Sequence, residues 1–158
     1  MDIEIFADDL LKEDCDLTNH HTGCRGIIVK DNKYLMVHVI KKDVYTFPGG
    51  GLEENETLEE CAKREVLEET GIEVLVLEKK VSITEYFQDS VWTNHYFVCQ
   101  FLNNTKNISL TKEEIFFGLE VVWKTLDEVL DILENHQTND IFGPNVHNRE
   151  FLGFINSI

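Results

Sequence analysis

The feature that most constrains this chain is the segment 50–72, which reads GGLEENETLEECAKREVLEETGI and sets a run of glutamates between glycines. Thr57, followed three residues later by Glu60, has the spacing of a capping box, which starts a helix. Gly71 is the residue type that most often follows the last turn of a helix. The segment therefore predicts a helix over about 58–70.

The apolar face of this helix is formed by Leu58, Cys61 and Ala62. At about 100° per residue, Glu65 and Glu69 point into the middle of that face, and Glu68 lies at its edge. Half-buried carboxylates lose hydration and repel one another unless a cation or a proton compensates them. Oxygen ligands without paired His or Cys favour Mg²⁺ or Mn²⁺ over zinc. The alternative is an ordinary acidic surface helix without a ligand.

The loop ahead of this helix, residues 45–51, reads YTFPGGG. Consecutive glycines permit positive φ and let a backbone approach a ligand closely, so that a carbonyl of this loop can reach a metal ion. A plain Pro-Gly turn is the alternative interpretation. The position of the loop directly ahead of the acidic helix favours the metal.

Glycines and charged residues of this stretch stand at the spacing G-x5-E-x7-R-E-U-x-E-E-x-G-U, where U is a bulky aliphatic residue. The positions are filled by Gly50, Glu56, Arg64, Glu65, Val66, Glu68, Glu69, Gly71 and Ile72. This pattern resembles the signature of the Nudix hydrolases, a family that cleaves nucleoside diphosphates linked to another group. The resemblance implies an α/β fold, an α/β/α sandwich with a mixed sheet and a loop-helix-loop catalytic cassette.

The same resemblance implies roles for individual residues. The Gly49 carbonyl and the carboxylates of Glu65, Glu68 and Glu69 would be the metal ligands. Glu65 is either a ligand or the base for the attacking water, Glu68 is a further catalytic residue, and Arg64 orients these carboxylates. The metal would neutralise phosphate oxygens and lower the pKa of a bound water that attacks phosphorus.

Two acidic positions outside the helix are less constrained. Glu56 either joins the outer shell of the metal or satisfies backbone donors at the helix start. Several family members place a catalytic glutamate on a downstream loop, and the resemblance points to Glu114 in the segment 111–114, with Glu120 behind it. A solvated acidic loop is the alternative for that segment.

Cations and aromatic side chains near the glycine loop are candidate substrate contacts. Arg25, His38 and Lys41 lie on or beside the strands that lead to the loop, where they can meet phosphate oxygens. Tyr45 can stack on a base, although aromatic residues on strands also fill cores. A zinc site is a further alternative, at the unusual spacing of Cys15, His20, His21 and Cys24.

The rest of the chain predicts alternating elements. Strands are expected over 3–6, 24–30, 34–40, 72–77, 81–88, 91–102 and 119–123. The pattern also predicts a helix over 126–133 and a short last helix from about Arg149, capped by Asn148. No linker or repeat divides the chain, so residues 1–158 are expected to form a single domain.

Composition limits the partners. The formal net charge of −16 repels nucleic acid polymers, whereas a small nucleotide can arrive with magnesium. Because a signal peptide and a bilayer-spanning apolar run are both missing, we expect a cytoplasmic protein that does not bind membranes. The four cysteines are scattered and imply no disulfide framework. A homodimer is left open.

The expected function is therefore divalent-metal-dependent hydrolysis of a nucleoside diphosphate linked to another group, with a nucleoside triphosphate or modified nucleotide as the substrate. One alternative is a nucleotide-sugar or dinucleotide pyrophosphatase. Others are a ligand sensor on the same fold that does not hydrolyse its ligand, and an isomerase of isoprenoid diphosphates. The complete set of acidic residues favours the hydrolase over the sensor.

Overall fold

The computed structural model describes the whole chain, Met1–Ile158. Its strands are β1 (Asp2–Phe6), β2 (His20–Lys30), β3 (Lys33–Val39), β4 (Val44–Thr46), β5 (Gly49–Gly51), β6 (Ile72–Tyr86), β7 (Val91–Asn104) and β8 (Leu119–Thr125). Its helices are α1 (Leu58–Thr70), α2 (Lys112–Phe117), α3 (Leu126–Asn135) and α4 (Gly143–Ile155). Two short 3-10 turns follow β1, at Ala7–Asp9 and Lys12–Asp14.

The strands form a mixed sheet in the order β1-β6-β7-β2-β3-β4, and β5 pairs with β2 while β8 pairs with β3. Two of the pairs are parallel, β1 with β6 and β2 with β7, and the other pairs are antiparallel. Register shifts near Glu78 interrupt the β6–β7 ladder. Because such irregularities break the alternation of side chains, the sequence predicted two strands where the structure has the single strand β6.

Side chains alternate between the two faces of the sheet and build two separate cores. On β2, Cys24 and Ile28 face the core that includes α1, whereas Ile27 faces the core that includes α3 and α4. Neighbouring residues of β7 divide in the same way, with Phe97 on the α1 side and Tyr96 on the other. The sheet is therefore sandwiched between α1 and the pair α3 and α4, which confirms the predicted α/β/α sandwich.

Helix α1 begins and ends where the sequence predicts. The Glu60 N–H donates to Thr57 Oγ1 at 3.1 Å, and the Thr57 N–H donates to the Glu60 carboxylate at 2.9 Å. Gly71 has a φ of 73°, and its N–H donates to the Leu67 carbonyl at 2.8 Å. These caps fix which residues of the helix face the sheet.

The last helix differs from the predicted one. Helix α4 begins at Gly143 rather than near Arg149, and Asn148 lies inside it rather than at its cap. Pro144 lies in the first turn, where its missing N–H costs no hydrogen bond. The buried face carries three polar residues, His147, Arg149 and Glu150. These polar residues hide the apolar period by which a helix is found in a sequence.

Strand β4 and two other short elements, α2 and β5, occupy segments for which loops were predicted. Helix α2 is capped by Thr111, whose N–H donates to Glu114 Oε1 at 2.8 Å. The glycines form β5, in which Gly50 pairs with Cys24 of β2. β2 also begins at His20, earlier than predicted.

None of the four helices combines the length and the apolar character needed to span a bilayer.

Candidate active site

Two carboxylates of α1 face the glycine strand β5. Glu69 is 8% exposed, and its Oε2 accepts a hydrogen bond from the Gly49 N–H at 3.1 Å. A Cβ atom at Gly50 would lie 2.6 Å from the carboxyl carbon of Glu65, which is too close for two carbon atoms. Glycine at this position therefore allows the strand to pack directly on the acidic face of α1.

Arg64 gathers the other carboxylates of the pattern. Its Nη1 donates to Glu65 Oε1 at 2.7 Å and to Glu68 Oε2 at 3.0 Å. Its Nε donates to Glu56 Oε1 at 2.9 Å, and its Nη2 donates to the Gly51 carbonyl at 2.9 Å. The hydrogen bonds from Arg64 lower the pKa of Glu56. Arg64 thus holds three carboxylates and the end of the glycine strand in one arrangement.

The two glutamates that face β5 have unfavourable surroundings for a negative charge. Burial raises the pKa of Glu69 to about 8, although Arg25 and the Gly49 N–H act in the opposite direction. Burial also raises the pKa of Glu65, against the hydrogen bond from Arg64. The Glu114 carboxylate raises both pKa values further. A buried carboxylate in this condition favours the uptake of a proton or a cation.

The oxygen donors here fit a hard divalent cation, but they do not converge as the sequence predicted. No group of three or more Cys, His, Asp or Glu side chains is arranged to hold a metal ion. Glu65 and Glu68 both turn to Arg64, which supplies positive charge between them, whereas Glu69 faces Gly49. Glu65, Glu69 and the Gly49 carbonyl are the oxygens that would hold a cation at β5, and Glu68 would have to exchange Arg64 for it.

A cleft of about 590 Å³ opens beside Glu69 and Gly49. Its cationic lining residues are Arg25, Lys42 and Arg149. Its aromatic lining residues are Phe87, Trp92, Phe117 and Phe142. A concave site that combines aromatic walls with a few cations suits a flat ring attached to an anionic group.

The family model described as the NUDIX domain matches residues 20–145, which include the acidic helix and the glycine strand. The chain belongs to the NUDIX family. The match ends before Arg149, so most of α4, residues 146–155, lies outside it.

Proteins that are similar in sequence to this NUDIX protein are named after different activities. The chain is 34% identical over 129 residues to mRNA-decapping enzyme subunit 2 of Arabidopsis thaliana, a match that covers 77% of this chain and 32% of that protein. It is 44% identical over 54 residues to 8-oxo-dGTP diphosphatase of Buchnera aphidicola, which covers 32% of this chain and 42% of that protein. The chain thus spans less than half the length of either relative. The methanol dehydrogenase activator of Bacillus methanolicus is 28% identical over 157 residues, covering 87% of this chain and 83% of that protein.

Solved structures share the fold. A NUDIX hydrolase from Nitrosomonas europaea superposes with a TM-score of 0.63 at 21% identity, covering 85% of this chain and 90% of that one. A structure described as an ADP compounds hydrolase superposes with a TM-score of 0.62 at 19% identity, covering 87% of this chain and 76% of that one.

Two predicted site residues outside the NUDIX pattern reach the cleft. Arg25 lines it, with Nη1 donating to the Phe47 carbonyl at 3.0 Å. Glu114 also lines it, although its Oε1 accepts from the Thr111 N–H as part of the α2 cap. Glu120 lies instead 3.5 Å from His38, on β8.

Three other predicted substrate contacts lie outside the cleft. Alternate residues of β4, Val44 and Thr46, line the cleft, so Tyr45 between them faces the opposite side. His38 stacks on Tyr45 with ring centroids 4.3 Å apart. The Nζ atom of Lys41 lies 3.8 Å from the centre of the Phe116 ring, whereas Lys42 lines the cleft. The geometry therefore favours Arg25 and Lys42 over these three residues.

The residues of the alternative zinc site are not brought together. Cys24 lies in the core under α1, and His21 stacks on Trp92 with ring centroids 4.1 Å apart. His20 Nε2 lies 2.9 Å from the Thr93 hydroxyl. All four cysteines are free.

Sequence reasoning missed the two buried charged residues Glu85 and Arg149, which line the cleft. Glu85 is 5% exposed and Arg149 is 8% exposed. The available signal was the small number of arginines: the chain has three, and Arg149 was the one without a predicted contact.

Proposed function

We propose that this protein hydrolyses a nucleoside diphosphate linked to another group, with water as the nucleophile and a divalent cation, Mg²⁺ or Mn²⁺, as the cofactor. The observation that carries this proposal is the Glu69 carboxylate at the cleft. It is buried, its pKa is raised, and its one hydrogen-bond partner within the protein is the Gly49 N–H. When it is ionised, such a group requires a counter-charge, and the substrate cleft is where a cation can supply it.

The roles of the residues follow from their contacts. A cation held by Glu65, Glu69 and the Gly49 carbonyl would neutralise phosphate oxygens and lower the pKa of a bound water. Arg64 is a positioning residue, because its hydrogen bonds fix the Glu65 and Glu68 carboxylates. Glu65 serves either as a ligand or as the base that accepts the proton of the attacking water.

Glu114 is a second candidate base on the other wall of the cleft. Its Oε1 is engaged by the Thr111 N–H, but its Oε2 makes no hydrogen bond within the protein. A carboxylate with a free oxygen that faces the cleft can accept a proton from water.

The cleft supports a small nucleotide as the substrate. Its volume of about 590 Å³ and its aromatic walls suit one base with its phosphates, and the net charge of −16 disfavours a nucleic acid polymer. We propose a nucleoside triphosphate or a modified nucleotide, with nucleotide sugars and dinucleotides as the second class. The cytoplasmic location and the homodimer remain predictions.

The test is hydrolysis of a substrate panel in the presence of Mg²⁺ or EDTA, with the products resolved as monophosphate, phosphate or pyrophosphate. The panel contains nucleoside triphosphates, 8-oxo-dGTP, a nucleotide sugar, a dinucleotide and a short capped RNA. We expect metal-dependent hydrolysis of a small nucleotide, and in oxygen-18 water we expect the label on a phosphate product. Binding of these compounds without hydrolysis would instead identify a sensor, and cleavage of capped RNA alone would overturn the small-nucleotide class.

A further inference from the structure

The cleft has a second charged region, which is built from residues of α4 and β2. At its centre, Glu150 of α4 is 0% exposed and accepts several hydrogen bonds. Its Oε2 accepts from the Phe47 N–H at 2.6 Å, and its Oε1 accepts from the Tyr96 hydroxyl at 2.8 Å. Arg149 Nη2 donates to the same Oε1 at 2.7 Å, and Arg25 Nε lies 3.5 Å from it. One buried carboxylate therefore holds two arginines.

Arg149 does not use all its donors on this carboxylate. Its Nε and Nη2 bind Glu150, but its Nη1 has only a long contact of 3.5 Å with Glu85 Oε2. Burial raises the pKa of Glu85, which disfavours its charged form. The side chains of Arg149 and Glu85 both line the cleft. Arg149 Nη1 is therefore available to a ligand there.

Arg25 also keeps a free donor. Its Nε donates to Asn94 Oδ1 at 3.1 Å and its Nη1 to the Phe47 carbonyl, whereas its Nη2 has no partner in the protein. This nitrogen is not among the fully buried polar atoms without a partner, so solvent reaches it. The cleft that Arg25 lines is the open space beside it.

The placement of two arginines, Arg149 and Arg25, on one buried carboxylate is not explained by stability alone. A buried ion pair seldom stabilises a fold more than well-packed apolar residues would. Here two arginines share Glu150, and each keeps an Nη nitrogen that this carboxylate does not engage. A phosphate group has the charge that attracts a guanidinium, and two of its oxygens can accept hydrogen bonds from the parallel N–H groups of one arginine.

We propose that Arg149 and Arg25 form a two-arginine site for a phosphate group of the substrate, and that Glu150 is the positioning residue that directs both guanidiniums into the cleft. The proposal rests on the proposed function only for the identity of the substrate, because the site is defined by its own contacts. It deepens that function by assigning the phosphate contacts of the nucleotide to α4 and β2.

The same carboxylate is connected to the candidate metal ligands through the backbone. Glu150 binds the Phe47 N–H and Arg25 binds the Phe47 carbonyl, so both backbone polar groups of Phe47 are fixed. Two residues later, the Gly49 N–H binds Glu69. A phosphate on the arginines would therefore occupy the same cleft as the Glu69 carboxylate.

The first test is binding of inorganic pyrophosphate in EDTA, measured by calorimetry, which needs neither a metal nor hydrolysis. Arg149→Lys and Arg25→Lys keep the positive charge but remove the planar guanidinium with its paired N–H donors. We expect each variant to bind pyrophosphate about tenfold more weakly, or weaker still. Lys63→Gln, which removes a cation from the exposed face of α1, should bind within about twofold of the unchanged protein. Unchanged binding in both arginine variants, an equal loss in Lys63→Gln, or no binding by the unchanged protein would overturn the proposal.

The second test separates positioning from a structural role. With a hydrolysed nucleotide, Glu150→Gln should raise KM about tenfold while kcat stays within about threefold, because the arginines lose their direction but the carboxylates of α1 do not. Tyr96→Phe removes one hydrogen bond from the same carboxylate and should change KM by less than threefold. A fall in kcat with unchanged KM in Glu150→Gln would contradict the positioning role.

Should Glu150→Gln fail to fold, the pyrophosphate measurement on the two arginine variants still decides the proposal. Failure of the proposed function looks different, because pyrophosphate would then bind through Arg149 and Arg25 while no nucleotide is cleaved.

Discussion

Two buried glutamates that lie on helices, Glu69 on α1 and Glu150 on α4, have opposite electrostatic surroundings. Glu69 accepts one hydrogen bond within the protein, and burial raises its pKa to about 8. Burial alone would also raise the pKa of Glu150, but Arg149 and Arg25, with the Phe47 N–H and the Tyr96 hydroxyl, outweigh it and lower the pKa. Burial is thus common to both, and the number of partners differs. The poorly partnered carboxylate is the one that can take a cation, and the saturated one organises its neighbours.

The largest expected effect concerns chemistry in the poorly partnered region. Glu65→Gln should lower turnover by a factor of about 10² to 10⁴ at saturating Mg²⁺, because it removes charge from a carboxylate that faces β5 without changing its shape. Steady-state kinetics on the hydrolysed nucleotide would measure it, with folding checked by circular dichroism. Glu59→Gln is the matched control, since Glu59 is exposed on the same helix. Near-normal turnover in Glu65→Gln would show that Glu65 has a structural role and no part in catalysis.

The next effect should distinguish the two glutamates by stability. Glu150→Ala leaves Arg149 buried without its partner and should lower the free energy of unfolding by about 3–5 kcal/mol. Glu69→Gln should be close to neutral in EDTA, because the carboxylate it replaces is unfavourable when charged. Urea denaturation of both variants at pH 8 tests this. An equal loss of unfolding free energy in the two variants would show that Glu69 and Glu150 do not differ in their contribution to stability.

A smaller effect is the dependence of stability on pH. The pKa of Glu69 is raised from 4.5 to about 8 on folding, so the folded protein holds a proton that the unfolded chain releases. Its contribution to stability is present below about pH 4.5 and is lost as the pH rises through about 8. Melting temperatures in EDTA between pH 5 and pH 9 should therefore fall more steeply in the unchanged protein than in Glu69→Gln. The contribution of Glu150 to stability has the opposite pH dependence. Because its pKa is lowered on folding, this contribution is present at neutral pH and is lost only in acid. Parallel curves for the two proteins would contradict the raised pKa of Glu69.

The sequence predicted α1 well because every signal there was local. The capping box at Thr57, the glycine at the helix end and the apolar face gave its bounds, and the prediction that Glu69 is buried follows from the same periodicity. Periodicity could not predict which partner each carboxylate contacts. Glu65 and Glu68 turn to Arg64 because an arginine on the same helix is a nearer counter-charge than any on another element.

Helix α4 and the cleft floor could not be predicted from local signals. Arg149 and Glu150 lie on the buried face, where the rules for sequence patterns expect apolar residues. Their partners, Tyr96 of β7 and Phe47 before the glycine strand, are distant in the sequence and meet them only in the folded sheet. Similarly, His38 and Tyr45 are near the glycine loop in sequence, but the alternation of β4 turns Tyr45 away from the cleft.

The most direct test of the contrast between the two glutamates is the rise in melting temperature on adding Mg²⁺ to the metal-free protein. Magnesium at about 100 times its dissociation constant should stabilise the unchanged protein by about 2.7 kcal/mol, or about 5 to 10 °C. The account predicts that Glu69→Gln loses most of this rise, whereas Glu150→Gln and Glu59→Gln keep it. An equal rise in all four proteins would contradict the claim that the poorly partnered carboxylate is the metal ligand.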